Sequence, residues 1–252
     1  MKLDDYQRNL LKVAPKTRGR GGYSSASSAQ HLKRALELKD KMPEVAVFLT
    51  ITAEEEAATA VFSALRKKKY EGASKLKDKD HVFKAGLYPF IQLLGNAVAA
   101  IKFGVPLELF FEPKKNQPND AILRIRMPLN IPDREDLFIV PDPPLNLVSV
   151  DPGGNKTDYF SAVRKVASEK GIDSIHEQIR KWANRRNRML YASDSGVPKV
   201  KNVEQWMMPH FKGVFANLAA YLLVEPHPKQ NFVQEALTAF LKIQSRLEAR
   251  ET

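Results

Sequence analysis

Three consecutive glutamates, Glu54, Glu55 and Glu56, stand in the middle of a stretch whose apolar residues recur at helical spacing. Phe48, Ile51, Glu55, Ala58, Phe62 and Leu65 follow one another at alternating steps of three and four, the seam of a bundle helix. Glu55 is therefore written into an otherwise apolar face, and Glu54 lies on the adjacent row with Val47, Ile51, Ala58 and Val61. A carboxylate facing a bundle interior must find a cation, find hydrogen-bond donors or take up a proton. The alternative is a boundary position from which the side chain reaches water. Asp80, His81 and Lys84 are the nearest downstream residues able to answer such a carboxylate, and His81 and Lys84 share one helix face. An antiparallel helix pair sets the start of the second helix beside the end of the first. A contact with Glu55 thus requires the loop at 70–77 to fold back, or a partner from a different helix.

A second polar group lies between 173 and 190. His176, Arg180, Asn184 and Arg188 are spaced by four, one stripe down a helix, and Arg185, Arg186 and Asn187 thicken it towards the C-terminal end. Cations near a helix C-terminus are favoured by the macrodipole, and guanidinium forks also match phosphate oxygens. The two roles are compatible. Arg186 is the expected partner of Glu55, since Arg185 can pair along its own helix with Glu177 through Lys181. On that reading an apolar replacement of Glu55 alone is expected to be neutral or stabilising. Other familiar chemistry is missing: the chain has no cysteine, no Walker loop, no dinucleotide glycine motif, no HExxH and no Gly-x-Ser-x-Gly. No metal and no cofactor is expected.

The balance of charge says what such a site would meet. The 252 residues carry a net charge of +11, with 43% apolar and 27% charged residues, a globular composition. Residues 1–34 hold eight Lys/Arg against two Asp, residues 66–84 eight against three, and residues 176–201 seven against two. Clustered positive charge suits a polyanion, because neutralising phosphates releases counterions. RNA or another polyanion is the expected partner, and a homodimer is a further assembly the chain would allow. The N-terminal residues show no long apolar run, so a secretory signal is not expected. Ala85 to Ile101 is the longest charge-free run at 17 residues, short of a membrane span. A reducing cytoplasm fits the lack of cysteine, and no membrane partner is expected.

These side chains need elements to hold them. Residues 1–28 contain the Gly, Ser and basic run APKTRGRGGYSSASS and read as a flexible basic arm. Helices are predicted at about 28–42, 43–69, 78–103 (kinked at Pro89), 158–170, 173–190, 203–224 and 229–249. Between 106 and 144 stand eight of the sixteen prolines, and the periodicity falls to two. LELFFE and AILRIRM read as a β-hairpin with Glu108 and Glu112 opposite Arg124 and Arg126, and LFIV and NLVSV as further short strands. The fold class is mainly α: a helical bundle at 29–252 interrupted by a Pro-rich β insertion at 106–154. The hairpin is expected to be an appendage to that bundle.

Three segments together resemble a known family. Ala29 to Leu65 is similar to the start of the abortive-infection family AbiV, within the HEPN superfamily of helical bundles. Asp80-His81-Val-Phe-Lys84 resembles that family's Asp/Ser-His-x-x-Lys segment, and Arg188-Met-Leu-Tyr191-Ala-Ser-Asp194 its Arg-x-x-Leu-Tyr-x-Asp segment. The resemblance implies a HEPN-like bundle in phage defence, acting on RNA or the translation machinery, as a metal-independent endoribonuclease. It implies catalytic roles for Glu55, His81, Arg186 and Tyr191, with Lys84, Arg180, Arg185 and Arg188 on phosphate. The chain departs from the superfamily's Arg-polar-…-His signature. Arg186-Asn187 fits its first half, but Tyr191 stands in the place of the histidine, and a tyrosine is a poor general base at neutral pH. The family's Lys after Glu-Glu is also replaced, by Ala58 and Thr59. A non-catalytic basic bundle that binds RNA or a protein is the alternative function.

Overall fold

The computed structural model describes residues 1–100, 106–114, 117–129, 131, 134, 136–146, 154, 161, 179, 184–186, 188, 189, 191 and 196–248. The chain is mainly helical with a small antiparallel sheet: α1 (Asp5–Val13), α2 (Arg20–Leu38), α3 (Pro43–Lys67), α4 (His81–Ala85), α5 (Leu87–Ala100), β1 (Glu108–Lys114), β2 (Gln117–Pro128), β3 (Phe138–Ile139), α6 (Val203–Val224) and α7 (Asn231–Glu248). The predicted helix at 158–170, most of that at 173–190 and the strand NLVSV fall largely outside the described residues. Of the second helix, residues 179, 184–186, 188 and 189 are described and helical.

The centre of the bundle is α3. Pro43 opens it at a position where a missing N–H costs nothing. One of its faces is built of Ala46, Thr50, Ala53, Ala57, Ala60 and Ala64, all buried, at steps of three and four. Against it lies α2, whose buried Gly21, Ser25, Ser28, Leu32 and Ala35 have the same spacing. Small side chains on both faces let the two backbones approach closely, and Ser28 Oγ donates to the Ala53 carbonyl at 2.7 Å. Here the structure corrects the flexible arm expected at 1–28. Residues 5–13 and 20–38 are helical, and Leu10 and Ala14 are fully buried. Asp4 caps α1 through a reciprocal pair with Gln7, its carboxylate accepting from Gln7 N at 2.7 Å. The Gly/Ser composition that reads as a linker is a close-packing face. A methyl group on Gly21 would overlap the ring of Tyr221, and one on Gly22 would overlap the Thr17 carbonyl.

The opposite side of α3 packs on α6, whose Met207, Phe211, Val214, Leu218 and Leu222 are buried at seam spacing. From α7, Phe240 fills the space between Phe62, Phe83 and Phe90, with ring centroids at 6.2, 5.4 and 5.2 Å. The break in the predicted helix at 78–103 falls at Gly86, where the Gln244 side chain presses on the backbone. Pro89 lies in the first turn of α5, where its missing N–H has no partner to lose.

The hairpin forms as expected, and its register sets Glu108 opposite Arg126, with Arg126 Nε 2.8 Å from Glu108 and Arg124 Nε 2.6 Å from Glu112. It is not the appendage the sequence suggested. Leu123 and Ile125 are 1% and 4% exposed and belong to the main core, and Phe111 packs against Tyr6 of α1. The inner face of the sheet closes one side of the bundle.

The N-terminal helices should therefore carry stability. Leu10→Ala should cost about 2–5 kcal/mol, read as a shift of the urea midpoint. Deleting residues 1–26 should abolish cooperative unfolding, and a truncated chain with an unchanged midpoint would show that α1 and the first turns of α2 are dispensable.

Candidate functional site

Glu55 and its neighbours are assembled by the return loop after α3. The helix ends in a Schellman arrangement: Tyr70 N bonds the Leu65 carbonyl at 3.1 Å and Lys69 N the Arg66 carbonyl at 2.9 Å. Lys69 takes the left-handed conformation, φ +57°, where glycine is usual. The chain then doubles back. Tyr70, Ala73 and Leu76 are buried along α3, and Arg66 donates to the Leu76 carbonyl while pairing with Asp78, which Arg20 of α2 also grips. Those two guanidinium groups pull the Asp78 carboxyl below its ordinary pKa, against the opposing effect of burial. Asp80 then caps α4, accepting from Phe83 N at 3.0 Å, and the Phe83 ring anchors α4 in the aromatic cluster. The fold-back that the sequence required is thus in place, and it sets His81 and Lys84 beside the middle of α3.

One oxygen of Glu55, Oε2, lies 2.8 Å from His81 Nδ1 and 3.4 Å from Lys84 Nζ. Glu55 and Lys84 are each 8% exposed at the side chain, whereas His81 is 45% exposed, so the pair is buried and the imidazole opens to solvent. Arg186 reaches the same ring: its Nη1 stands 2.6 Å from Nε2 and 3.0 Å from Nδ1. The Arg186 guanidinium also sits 5.4 Å from the centroid of Phe48, the first residue of the predicted seam. The tautomer with its proton on Nδ1 donates to the carboxylate and leaves Nε2 as the acceptor, and the guanidinium lies over the ring within 3.0 Å of both nitrogens. Carboxylate, imidazole and guanidinium form one chain from the interior outwards.

Of the sequence-predicted residues, Glu55, His81, Lys84 and Arg186 come together. The direct Glu55–Arg186 pairing does not occur, because His81 stands between them. Lys84, expected on phosphate, is the buried counter-ion of Glu55. Arg185 turns inward, its guanidinium 5.3 Å from the Trp206 ring centroid. Arg188 is exposed, and Tyr191 is 66% exposed. Arg180 lies outside the described residues.

Sequence reading missed the inner pair. Glu54, 4% exposed, bonds His210 Nδ1 of α6 at 2.6 Å, and His210 is 2% exposed. Burial raises the Glu54 carboxyl above its ordinary pKa, partly countered by His210, raised again by Glu55 and lowered by Arg185. The signal was present: His210 interrupts the apolar run of α6 between Met207 and Val214. Among the described residues, no group of three or more His, Asp and Glu side chains is placed to hold a metal ion, and no helix is long and apolar enough to cross a membrane.

Breaking a buried pair strands the survivor. Lys84→Met and Glu55→Leu should each cost about 3–5 kcal/mol, because each leaves one buried charge behind. The double substitution should return close to the parent stability. This replaces the neutrality expected for Glu55→Leu alone, and a thermodynamic cycle from urea unfolding measures it.

Glu54 holds its proton more tightly in the folded chain than in the unfolded one, so the native state binds more protons above the ordinary carboxyl pKa of 4.5. Stability must then fall as pH rises from there towards the raised pKa. Glu54→Gln should remove that fall, gaining stability relative to the parent as pH rises above 4.5. A difference independent of pH would show Glu54 ionised throughout.

No family model, curated protein or solved structure matches the chain.

Proposed function

We infer that the chain is a HEPN-like defence protein of the abortive-infection type that cleaves RNA without a metal. The observation that supports this reading is the convergence of buried Glu55, half-exposed His81 and Arg186 at one point. A carboxylate behind an imidazole fixes its tautomer and orients it, the arrangement a general base needs. A guanidinium in front supplies charge for a phosphodiester. The net charge of +11 brings such a substrate to the surface.

Free of substrate, Arg186 Nη1 lies over the His81 ring, within 3.0 Å of both of its nitrogens, and covers Nε2. A phosphate, a stronger acceptor for the guanidinium, draws Arg186 off the ring and exposes Nε2. Nε2 then removes the proton of the ribose 2′-hydroxyl, and the 2′-oxygen attacks the adjacent phosphorus. The bond from phosphorus to the 5′-oxygen breaks, and that oxygen is protonated by the imidazolium or by water. The products are a 2′,3′-cyclic phosphate and a 5′-hydroxyl. Arg186 stabilises the charge that gathers on the non-bridging oxygens, and Glu55 stabilises the transient imidazolium. Tyr191 is not needed as the base in this scheme.

The test uses the full chain, end-labelled single-stranded RNA and a chelator. Cleavage should persist in the chelator and yield cyclic-phosphate ends. His81→Ala should abolish it, and Arg186→Ala should lower the rate constant by about 10²–10³-fold with a smaller change in KM. Binding that weakens steeply with salt and yields no cleavage would overturn the catalytic reading in favour of an RNA-binding bundle.

A further inference from the structure

We propose that Arg185, Trp206 and the buried Glu54–His210 pair form an inner bracket that positions Arg186 over His81. This rests on reading the Glu55–His81–Arg186 chain as the working site.

Glu54 and Glu55 are adjacent on α3, and Arg185 and Arg186 are adjacent in the helical turn 184–186. Consecutive helical side chains diverge by roughly 100°, so each pair sends one member outward and one inward. Outward, Glu55 and Arg186 meet on the two sides of His81. Inward, Glu54 and Arg185 face one stripe of α6 formed by Trp206, His210 and Gly213, spaced four and three. Glu54 Oε2 bonds His210 Nδ1 at 2.6 Å, and its carboxyl group lies where a Gly213 side chain would be, so only glycine fits beneath it. Asn217, one turn on, donates from Nδ2 to the Glu54 carbonyl at 3.4 Å. Arg185 rests on the Trp206 ring at 5.3 Å. Arg185 Nη1 is buried without a hydrogen-bond partner, so the Trp206 ring is the contact that holds this guanidinium, and burial lowers its pKa, as does Arg188. A planar guanidinium stacked on an indole beside the buried Glu54–His210 pair has little freedom. Fixing Arg185 therefore fixes the turn that carries Arg186.

Arg185, Trp206, Glu54 and His210 are positioning residues: they act on substrate only through Arg186. The experiment reads Arg186's place directly, by the His81 Cε1–H resonance of the full chain at fixed pH, assigned with His81→Gln. Arg186→Gln defines the resonance of a ring that has lost its guanidinium. Arg185→Gln should move the signal to that same place, and Arg185→Lys, which keeps the charge but loses the planar stack, should bring it back only in part. If Arg185→Gln proves too unstable to read, Trp206→Leu, which removes only the supporting ring, should give the same displacement. On RNA, Arg185→Gln should lower kcat by roughly ten- to a hundredfold with KM little changed. A folded Arg185→Gln or Trp206→Leu protein with the parent His81 resonance overturns the proposal. If no variant and no parent cleaves RNA, the ribonuclease reading fails, and the resonance still decides whether the bracket positions Arg186.

Discussion

The carboxylate of Glu55 is the constraint around which the rest of the structure is arranged. It is buried on the middle of the longest described helix, and a buried charge must be met by opposite charge and hydrogen bonds. Its neighbours one turn away on α3, Ile51, Thr52, Ala58 and Thr59, carry no charge, and both threonine hydroxyls donate to backbone carbonyls. The cations come from α4, which by simple antiparallel packing would lie near the far end of α3. The return loop closes that gap. Each of its features serves the same end: the left-handed Lys69 reverses the chain, buried Tyr70 and Leu76 glue it to α3, and Asp78 is held from two helices at once. A loop held by so many contacts keeps His81 in place even though its ring opens to water.

The small-residue faces of α2 and α3 set the second requirement. Close approach of these helices buries Ala53 and Ala57 on one side of α3, leaving the other side to α6 and the polar pair Glu54–His210. With α2 drawn in tightly, Arg20 at its start can reach across to Asp78, so the packing of the N-terminal helices is mechanically tied to the loop that presents His81. The β-hairpin, through Leu123 and Ile125, seals the same core from another side.

Much of this was legible in the residues. The seam of α3, the limits of α6, the hairpin with its glutamates facing its arginines, and the company of Glu55, His81, Lys84 and Arg186 follow from spacing and charge. What was not legible has two physical sources. Composition misled at 14–28, where glycine and serine were taken for a linker although Gly21, Ser25, Ser28, Leu32 and Ala35 keep the period of a buried face. Composition reports average solubility, and close helix packing is bought with small residues of any polarity. Distance in sequence hid the rest. His210 lies 156 residues from Glu54, and a lone histidine in an apolar run gives no hint of which carboxylate it meets. Lys84 was legible in two ways, as a partner of Glu55 and as a phosphate contact, and its burial beside Glu55 places it on the carboxylate.

Two acidic residues side by side, two arginines side by side and two histidines from different helices make one polar layer across a bundle that is otherwise apolar. Such a layer is costly. Replacing buried ion pairs with hydrophobic residues is often neutral or stabilising, so stability alone does not explain keeping them. The two halves differ in what they can touch. His210 is 2% exposed and its pair can only hold other groups in place, whereas His81 is 45% exposed on a carboxylate that is not. A polar pair buried on both sides fixes geometry; one buried on a single side presents chemistry. The inner half is thus the frame against which the outer half is set, and adjacency along two backbones, 54 with 55 and 185 with 186, lets a rigid inner contact fix an outer one without any further element between them.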